Sequence, residues 1–395
     1  MKKLKERFAN YTEPQKIKDL GIYPYFRAIS SDQDSRVKIN NKEVLMFGSN
    51  SYLGLTNHKR IIEAGQKALS KYGSGCAGSP FLNGTLDIHI ELEEKLASFL
   101  GKEKAILFST GFQSNIGVIP TIISRKDNLI MDEYDHASLI EGRRLSFGKD
   151  YKFKHNNMES LEGILKKIPY EDTKLIVVDG VYSMEGDIAD LPSIVALSEK
   201  YNADIYVDEA HSLGVFGIGG RGICNHFGLT EKVDLIMGTF SKSLASIGGF
   251  IATDKETINY LRHNSRSYIF SASISPCATA CAMEALDIMQ KEPYRIDDLW
   301  KVANYSLETF RNLGFEIGNT NSPIIPLYVR DTEKTFLITQ ELFEQGVFVN
   351  PVIPPACSPE CTLIRFSLMA THTKEDVDFA TVRLYEVFKK YNVIK

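Results

Sequence analysis

The chain has 395 residues, 43% hydrophobic and 24% charged, with a formal net charge of −4 at pH 7. That is enough length for a large core and more than one domain, in an ordinary globular composition. The acidic balance and the lack of a long basic run exclude a nucleic-acid binder as the first expectation, and no apolar run reaches the roughly 18 residues that a membrane span needs.

In chain order, the basic start "MKKLKERFANYTEPQKIK" has no apolar core segment, so it does not read as a secretory signal. "SRVKINNKEVLMF" predicts a hairpin turning at Asn40-Asn41. The middle of the chain then alternates short apolar runs with helical segments. The predicted strands are "AILFST" (105–110), "NLIMDE" (128–133), "KLIVVDG" (174–180), "DIYVDE" (204–209), "DLIMGT" (234–239) and "GFIAT" (249–253). Nearly continuous Ile, Val and Leu is how strands buried on both faces read, and the βαβα rhythm predicts a mostly parallel sheet covered by helices. After about residue 290, "SPIIPLYVR", "GVFVNPV" and "TLIRFSLMA" predict strands of a smaller α+β unit closed by the helix "KEDVDFATVRLYEVFKKY". The expected partition is an arm and small hairpin over 1–45, a large α/β domain over 46–288 and an α+β domain over 289–395.

Six cysteines are too sparse for a disulfide scaffold and fit a reducing cytosol. Cys277/Cys281 and Cys357/Cys361 lack the Cys-x-x-Cys spacing usual for zinc, so they read as small apolar side chains and no metal is expected. "GSGCAG" (73–78) matches a dinucleotide fingerprint, but a helix-like segment precedes it where that fingerprint needs a strand. "DEAH" (208–211) resembles a helicase box in a chain without a phosphate-binding G-x-x-x-x-G-K-[ST] loop. "RRLSFGK" (143–149) reads as a solvated helix end.

In parallel α/β sheets, ligands bind beyond the carboxyl ends of the strands. Polar clusters stand at five such ends: "ST-GF", "DEYDH", "DGVYSMEGD", "DEAH" and "GTFSK". Lys242 in the last suits a Schiff base with a carbonyl, for which the usual cofactor is pyridoxal phosphate (PLP). Asp208 could pair with the pyridine nitrogen and His211 with the ring hydroxyl. Thr239, Ser241 and the Gly111-Phe112 helix start could hold the phosphate. His136 could lie on the ring face. Alone, each has a plainer reading: Asp208 as a helix cap, His136 as a structural histidine, Ser183 as a turn residue. Only their joint placement at successive strand ends points to a cofactor.

"TFSKSLASIG" resembles the lysine signature of fold-type I PLP enzymes. With "FGSNSYLGLTNH", "DEYDHASLIEG", "VDEAHSLGVFG", "FSASISP" and "LIRFSLMATHT", nearly the whole chain resembles the α-oxoamine synthases, which join an amino acid to an acyl-CoA with loss of carbon dioxide. The resemblance implies a fold-type I architecture: a mostly parallel sheet with helices on both faces and a smaller α+β C-terminal domain. It implies Lys242 as the Schiff-base lysine and proton-transfer base, and His136, Asp208, His211 and Ser183 around the ring. It implies Gly111, Phe112, Thr239 and Ser241 at the phosphate, joined by Ser271 from the partner of a homodimer. Asn50 and Arg365 would bind the amino-acid carboxylate, with Arg27 near the acyl-CoA entrance. Pro80 stands where the family pattern has an arginine. Within the family the resemblance is nearest to members that use L-serine and palmitoyl-CoA and make 3-ketodihydrosphingosine. Glycine C-acetyltransferase and 8-amino-7-oxononanoate synthase are the alternatives. A non-catalytic partner subunit would be expected to lack Lys242. A cytoplasmic protein is expected, with a lipid product that suggests proximity to the inner membrane surface.

Overall fold

The structure is a computed structural model that describes residues 2–394. The hairpin forms as strands β1 (Arg36–Ile39) and β2 (Lys42–Met46). Asn40 and Asn41 both take left-handed backbone, φ 50° and 62°, which is the geometry a two-residue turn of this hand requires.

The central sheet is built from β3 (Lys104–Phe108), β4 (Asn128–Asp132), β5 (Lys149–Phe153), β6 (Lys174–Asp179), β7 (Asp204–Asp208), β8 (Leu235–Thr239) and β9 (Gly249–Thr253). Their order across the sheet is β3-β9-β8-β7-β6-β4-β5. Neighbours from β8 to β5 are parallel, whereas β9 runs against both β3 and β8. β4, β6, β8 and β9 are buried at every position, which is why they read as unbroken apolar runs. Alternation divides them between two cores. Ile130, Ile176, Val178, Val207 and Ile236 point to one face, while Met131, Leu175, Val177, Tyr206 and Met237 point to the other. β5 is absent from the strands predicted above. It is an edge strand, "KDYKF", with only Phe153 buried, so it carries no apolar run to find.

Helices cover both faces, and short polar side chains start several of them. Asp190, Asp254, Asp331 and Thr373 each accept a bond from the backbone three residues on. Cys277 and Cys281 lie in the contact between helices Lys59–Tyr72 and Pro276–Lys291. A Cβ at Gly65 would sit 3.0 and 2.9 Å from their sulfurs, so the thiols fill a close helix–helix approach. In the C-terminal part, β10 (Ile324–Tyr328), β12 (Asn350–Val352) and β13 (Leu363–Ser367) form a separate antiparallel sheet with β13 central. Between them in sequence, β11 (Val347–Phe348) pairs with β2 and ties the early hairpin to the late chain. No helix among the described residues is long and apolar enough to cross a membrane.

Candidate active site

β8 and β9 are joined by a loop of nine residues, with Thr239 and Gly249 paired across its base. Lys242 stands on this loop, at the edge where the parallel strands end. It lines a cavity of about 320 Å3 together with Gly111, Phe112, His136, Asp208, His211, Thr239 and Ser241. The Lys242 amine has no hydrogen-bond partner among the described residues. Burial lowers its pKa, Asp208 and Asp179 oppose this, and Arg365 adds to the lowering, leaving it at about 8. An amine near that value is uncharged often enough to act as a nucleophile or a base.

Beside the lysine, the helix Gly111–Ile122 points its N-terminus into the same cavity. Thr110 caps it by accepting from the Gln113 N–H at 3.0 Å, which leaves the Gly111 and Phe112 N–H groups as first-turn donors. Thr239 Oγ1 lies 3.0 Å from Ser241 Oγ and donates to the Gly248 carbonyl at 3.1 Å. The approach of β9 to this helix depends on glycine. A Cβ at Gly249 would fall 2.6 Å from Gly111 Cα and 2.8 Å from Gly111 N. Two hydroxyls and a positive helix end therefore converge at one wall, a donor set suited to phosphate.

Asp208 ends β7 and is buried. Its Oδ2 accepts from Asn115 Nδ2 at 2.8 Å and its Oδ1 from the Ala210 N–H at 2.9 Å. Asn115 also donates to Ser138 Oγ at 2.8 Å and accepts from Tyr206 OH at 2.6 Å. Ser138 Oγ lies 2.7 Å from His136 Nδ1. The chain Asp208–Asn115–Ser138–His136 thus fixes the carboxylate and the imidazole with respect to each other. Asn115 and Ser138 are not among the residues singled out from sequence. Asn115 stands four residues after Gly111, on the same helix face, and that spacing was the available signal. Asp179, at the end of β6, was also missed; it accepts from the His136 N–H at 2.7 Å. Burial and the charge of Asp208 hold Asp179 well above the usual carboxylate range. Burial lowers the His136 pKa; Asp208 opposes that and Lys242 reinforces it, so the ring favours its neutral form. His211 is held further below its ordinary value by burial and by the charges of Lys242 and Arg365. Its Nδ1 lies 2.7 Å from the hydroxyl of the buried Tyr52.

Arg365, on β13, is 5% exposed. Its Nε donates to the Ser183 carbonyl at 2.6 Å and its Nη1 to Ser367 Oγ at 2.5 Å. Its Nη2 is buried without a partner among the described residues, as is Asn50 Oδ1. Ser183 thus meets the site through its carbonyl. Asn50, Ser183 and Arg365 stand outside the lining of the lysine cavity, and Ser271 and Arg27 lie elsewhere in the described chain. Ser271 accepts from Gln113 Nε2 at 3.2 Å and lines a second cavity with Pro80. Arg27 donates to Gln340 at 2.6 Å and stacks 3.7 Å over the Phe343 ring, off the wall of the lysine cavity. The glutamate of "DEAH" is structural, since buried Glu209 accepts from the N–H groups of Ile223 and Cys224 at 2.7 and 2.8 Å. The remaining groups form a coherent set for PLP: a partnerless amine for an aldehyde, a carboxylate for a pyridine nitrogen and a phosphate cradle. Arg365 offers an unused donor for an anion.

The family description "Aminotransferase class I and II" matches residues 42–384. The serine palmitoyltransferase of Bacteroides ovatus is 61% identical over 391 residues, covering 99% of each chain. A solved serine palmitoyltransferase from S. paucimobilis, with a PLP–myriocin aldimine bound, has a TM-score of 0.96 at 34% identity and covers 100% of both chains. More distantly, the 8-amino-7-oxononanoate synthase of Thermosipho melanesiensis is 42% identical, covering 97% of this chain and 98% of its own. The chain belongs to the aminotransferase class I and II family and, within it, to the α-oxoamine synthases.

Proposed function

We propose that the protein uses pyridoxal phosphate to condense L-serine with palmitoyl-CoA, giving 3-ketodihydrosphingosine, CoA and carbon dioxide. The observation that carries this is Lys242, a partnerless amine with a pKa of about 8, sharing one cavity with Asp208 and the Gly111–Phe112 helix start. The identity of 61% to a serine palmitoyltransferase, against 42% to an 8-amino-7-oxononanoate synthase, supports serine and a long acyl chain over the sister reactions.

When bound, PLP supplies an electron sink that lets an amino-acid Cα–H bond ionise and carbon dioxide leave. The protein's own groups do the rest. Asp208, held by Asn115, would set its carboxyl group against the pyridine nitrogen. His136, in its neutral form, would lie against the ring and His211 would serve the ring hydroxyl, while Ser183 contributes by holding Arg365 through its carbonyl. The first-turn N–H groups of Gly111 and Phe112, with Thr239 and Ser241, would hold the cofactor's phosphate. Arg365 turns its free Nη2, and Asn50 its amide, to the serine carboxylate. Lys242 moves the Cα proton, and that work needs its neutral form. Arg27 serves the acyl-CoA entrance.

We further propose a homodimer in which Ser271 serves the phosphate of the partner. Its neighbourhood supports this, since Phe81, Leu82 and Phe270 are 53, 78 and 76% exposed. The division we favour, 46–288 and 289–395, puts the cavity wall in one unit and Arg365 in the other. The lipid product favours a cytoplasmic enzyme working near the inner membrane surface. Purified enzyme offered serine, glycine or alanine against acetyl-, pimeloyl- and palmitoyl-CoA tests the substrate pair: serine with palmitoyl-CoA is expected to be fastest.

A further inference from the structure

His155 follows edge strand β5 and lies between two carboxylates. Its Nδ1 is 3.0 Å from Asp132 Oδ1 and its Nε2 is 2.8 Å from Asp187 Oδ2. A neutral imidazole has a single N–H and can donate to one of them; only the imidazolium satisfies both. Burial alone would lower its pKa, but the two carboxylates outweigh it and hold the ring at about 10. Tyr134 stacks on the ring with centroids 4.4 Å apart, Tyr182 meets it edge-on at 4.4 Å, and Glu133 accepts from its backbone N–H at 3.0 Å. Asn156 repeats the bridge. Its N–H donates to Asp132 Oδ2 at 2.9 Å, and its side-chain amide donates to Asp187 Oδ2 at 3.3 Å and to the Ile188 carbonyl at 2.9 Å.

The two bridged segments are those that carry the site. From Asp132 the path runs through Asp135, which accepts from the Asp132 and Asp179 N–H groups at 3.1 Å each, to Asp179 and the His136 N–H. From Asp187 it runs through the loop that Tyr182 N closes onto the Asp187 carbonyl at 3.0 Å, to Ser183, whose carbonyl holds Arg365. We propose that His155 is a positioning residue: a protonated clamp that joins the 132–136 turn to the 182–188 loop and so fixes His136 and Arg365 around the amino-acid carboxylate. It touches neither substrate nor cofactor. The assignment rests on the proposed roles of His136 and Arg365.

The test compares wild-type holoenzyme with His155→Gln and Asp187→Asn, reading amide hydrogen exchange and the separate KM values for L-serine and palmitoyl-CoA. His155→Gln should speed exchange in both 132–136 and 182–188. It should raise the serine KM about tenfold while moving the palmitoyl-CoA KM less than about twofold, since misplaced binding groups act on the substrate they hold. Asp187→Asn should loosen 182–188 and raise the serine KM in the same direction. An unchanged serine KM in both variants overturns the clamp. So does a rise in both KM values together with exchange quickened across the whole central sheet, which marks a purely structural residue. A wild-type enzyme that prefers glycine to serine would sink the substrate assignment instead, and the exchange pattern would still decide for or against the clamp.

Discussion

Lys242 has the chemistry of the site written into its surroundings. Its amine is drawn to about 8 because burial disfavours the ammonium more than Asp208 and Asp179 restore it. Lys242→Ala should remove the absorbance band near about 420 nm expected of a PLP Schiff base, together with turnover; a mutant that kept both would dismiss the lysine. Asn115→Ala should cost on the order of 2 kcal/mol, because it strips bonds from buried Asp208, Ser138 and Tyr206 at once. Thermal melting would show it as a loss of several degrees, alongside weaker PLP binding. His155 predicts a pH effect of known sign. Its folded pKa, about 10, lies above the ordinary value of 6.5, so its contribution is complete below 6.5 and is lost as pH rises through 10. Between pH 7 and 9.5 the wild-type melting temperature should therefore fall further than that of His155→Gln; parallel curves would count against the bridge.

At the scale of elements, the site depends on β9 approaching the helix Gly111–Ile122 so closely that no side chain fits between them. Gly249→Ala would put its methyl 2.6 Å from Gly111 Cα, backbone against backbone, so the helix start must shift. The expected result is a protein that still folds but whose PLP affinity falls, read by cofactor titration; wild-type affinity would mean the cradle tolerates the displacement. The buried strands were legible from sequence because both faces are covered, as in β4 and β6, where no polar residue interrupts the apolar run before the functional aspartate. β5 was not legible, because this edge strand leaves Lys149, Asp150 and Lys152 exposed and buries only Phe153. With β5 went His155, which sits just past its carboxyl end. The reversal of β9 was equally hidden, since its apolar run looks the same in either direction.

Across the whole molecule, residues more than a hundred positions apart meet at one sheet edge. The strand-end rule gathered Gly111, His136, Asp208 and Lys242 from sequence alone, and the structure sets all four around one cavity. That rule says nothing of groups contributed by a second sheet. Arg365 on β13 came from family resemblance, and its anchoring by Ser183 and Ser367 is visible only in three dimensions. The supporting polar chain through Asn115 and Ser138 was hidden for another reason: buried Asn and Ser in a helix look like ordinary packing until their partners arrive from other elements. The central claim, that this arrangement joins serine to a palmitoyl chain, is tested most directly by incubating the PLP-loaded enzyme with L-serine and palmitoyl-CoA and measuring the product by mass. The account predicts 3-ketodihydrosphingosine formed one for one with released CoA; no such product, with brisk turnover of alanine and pimeloyl-CoA or of glycine and acetyl-CoA, would contradict it.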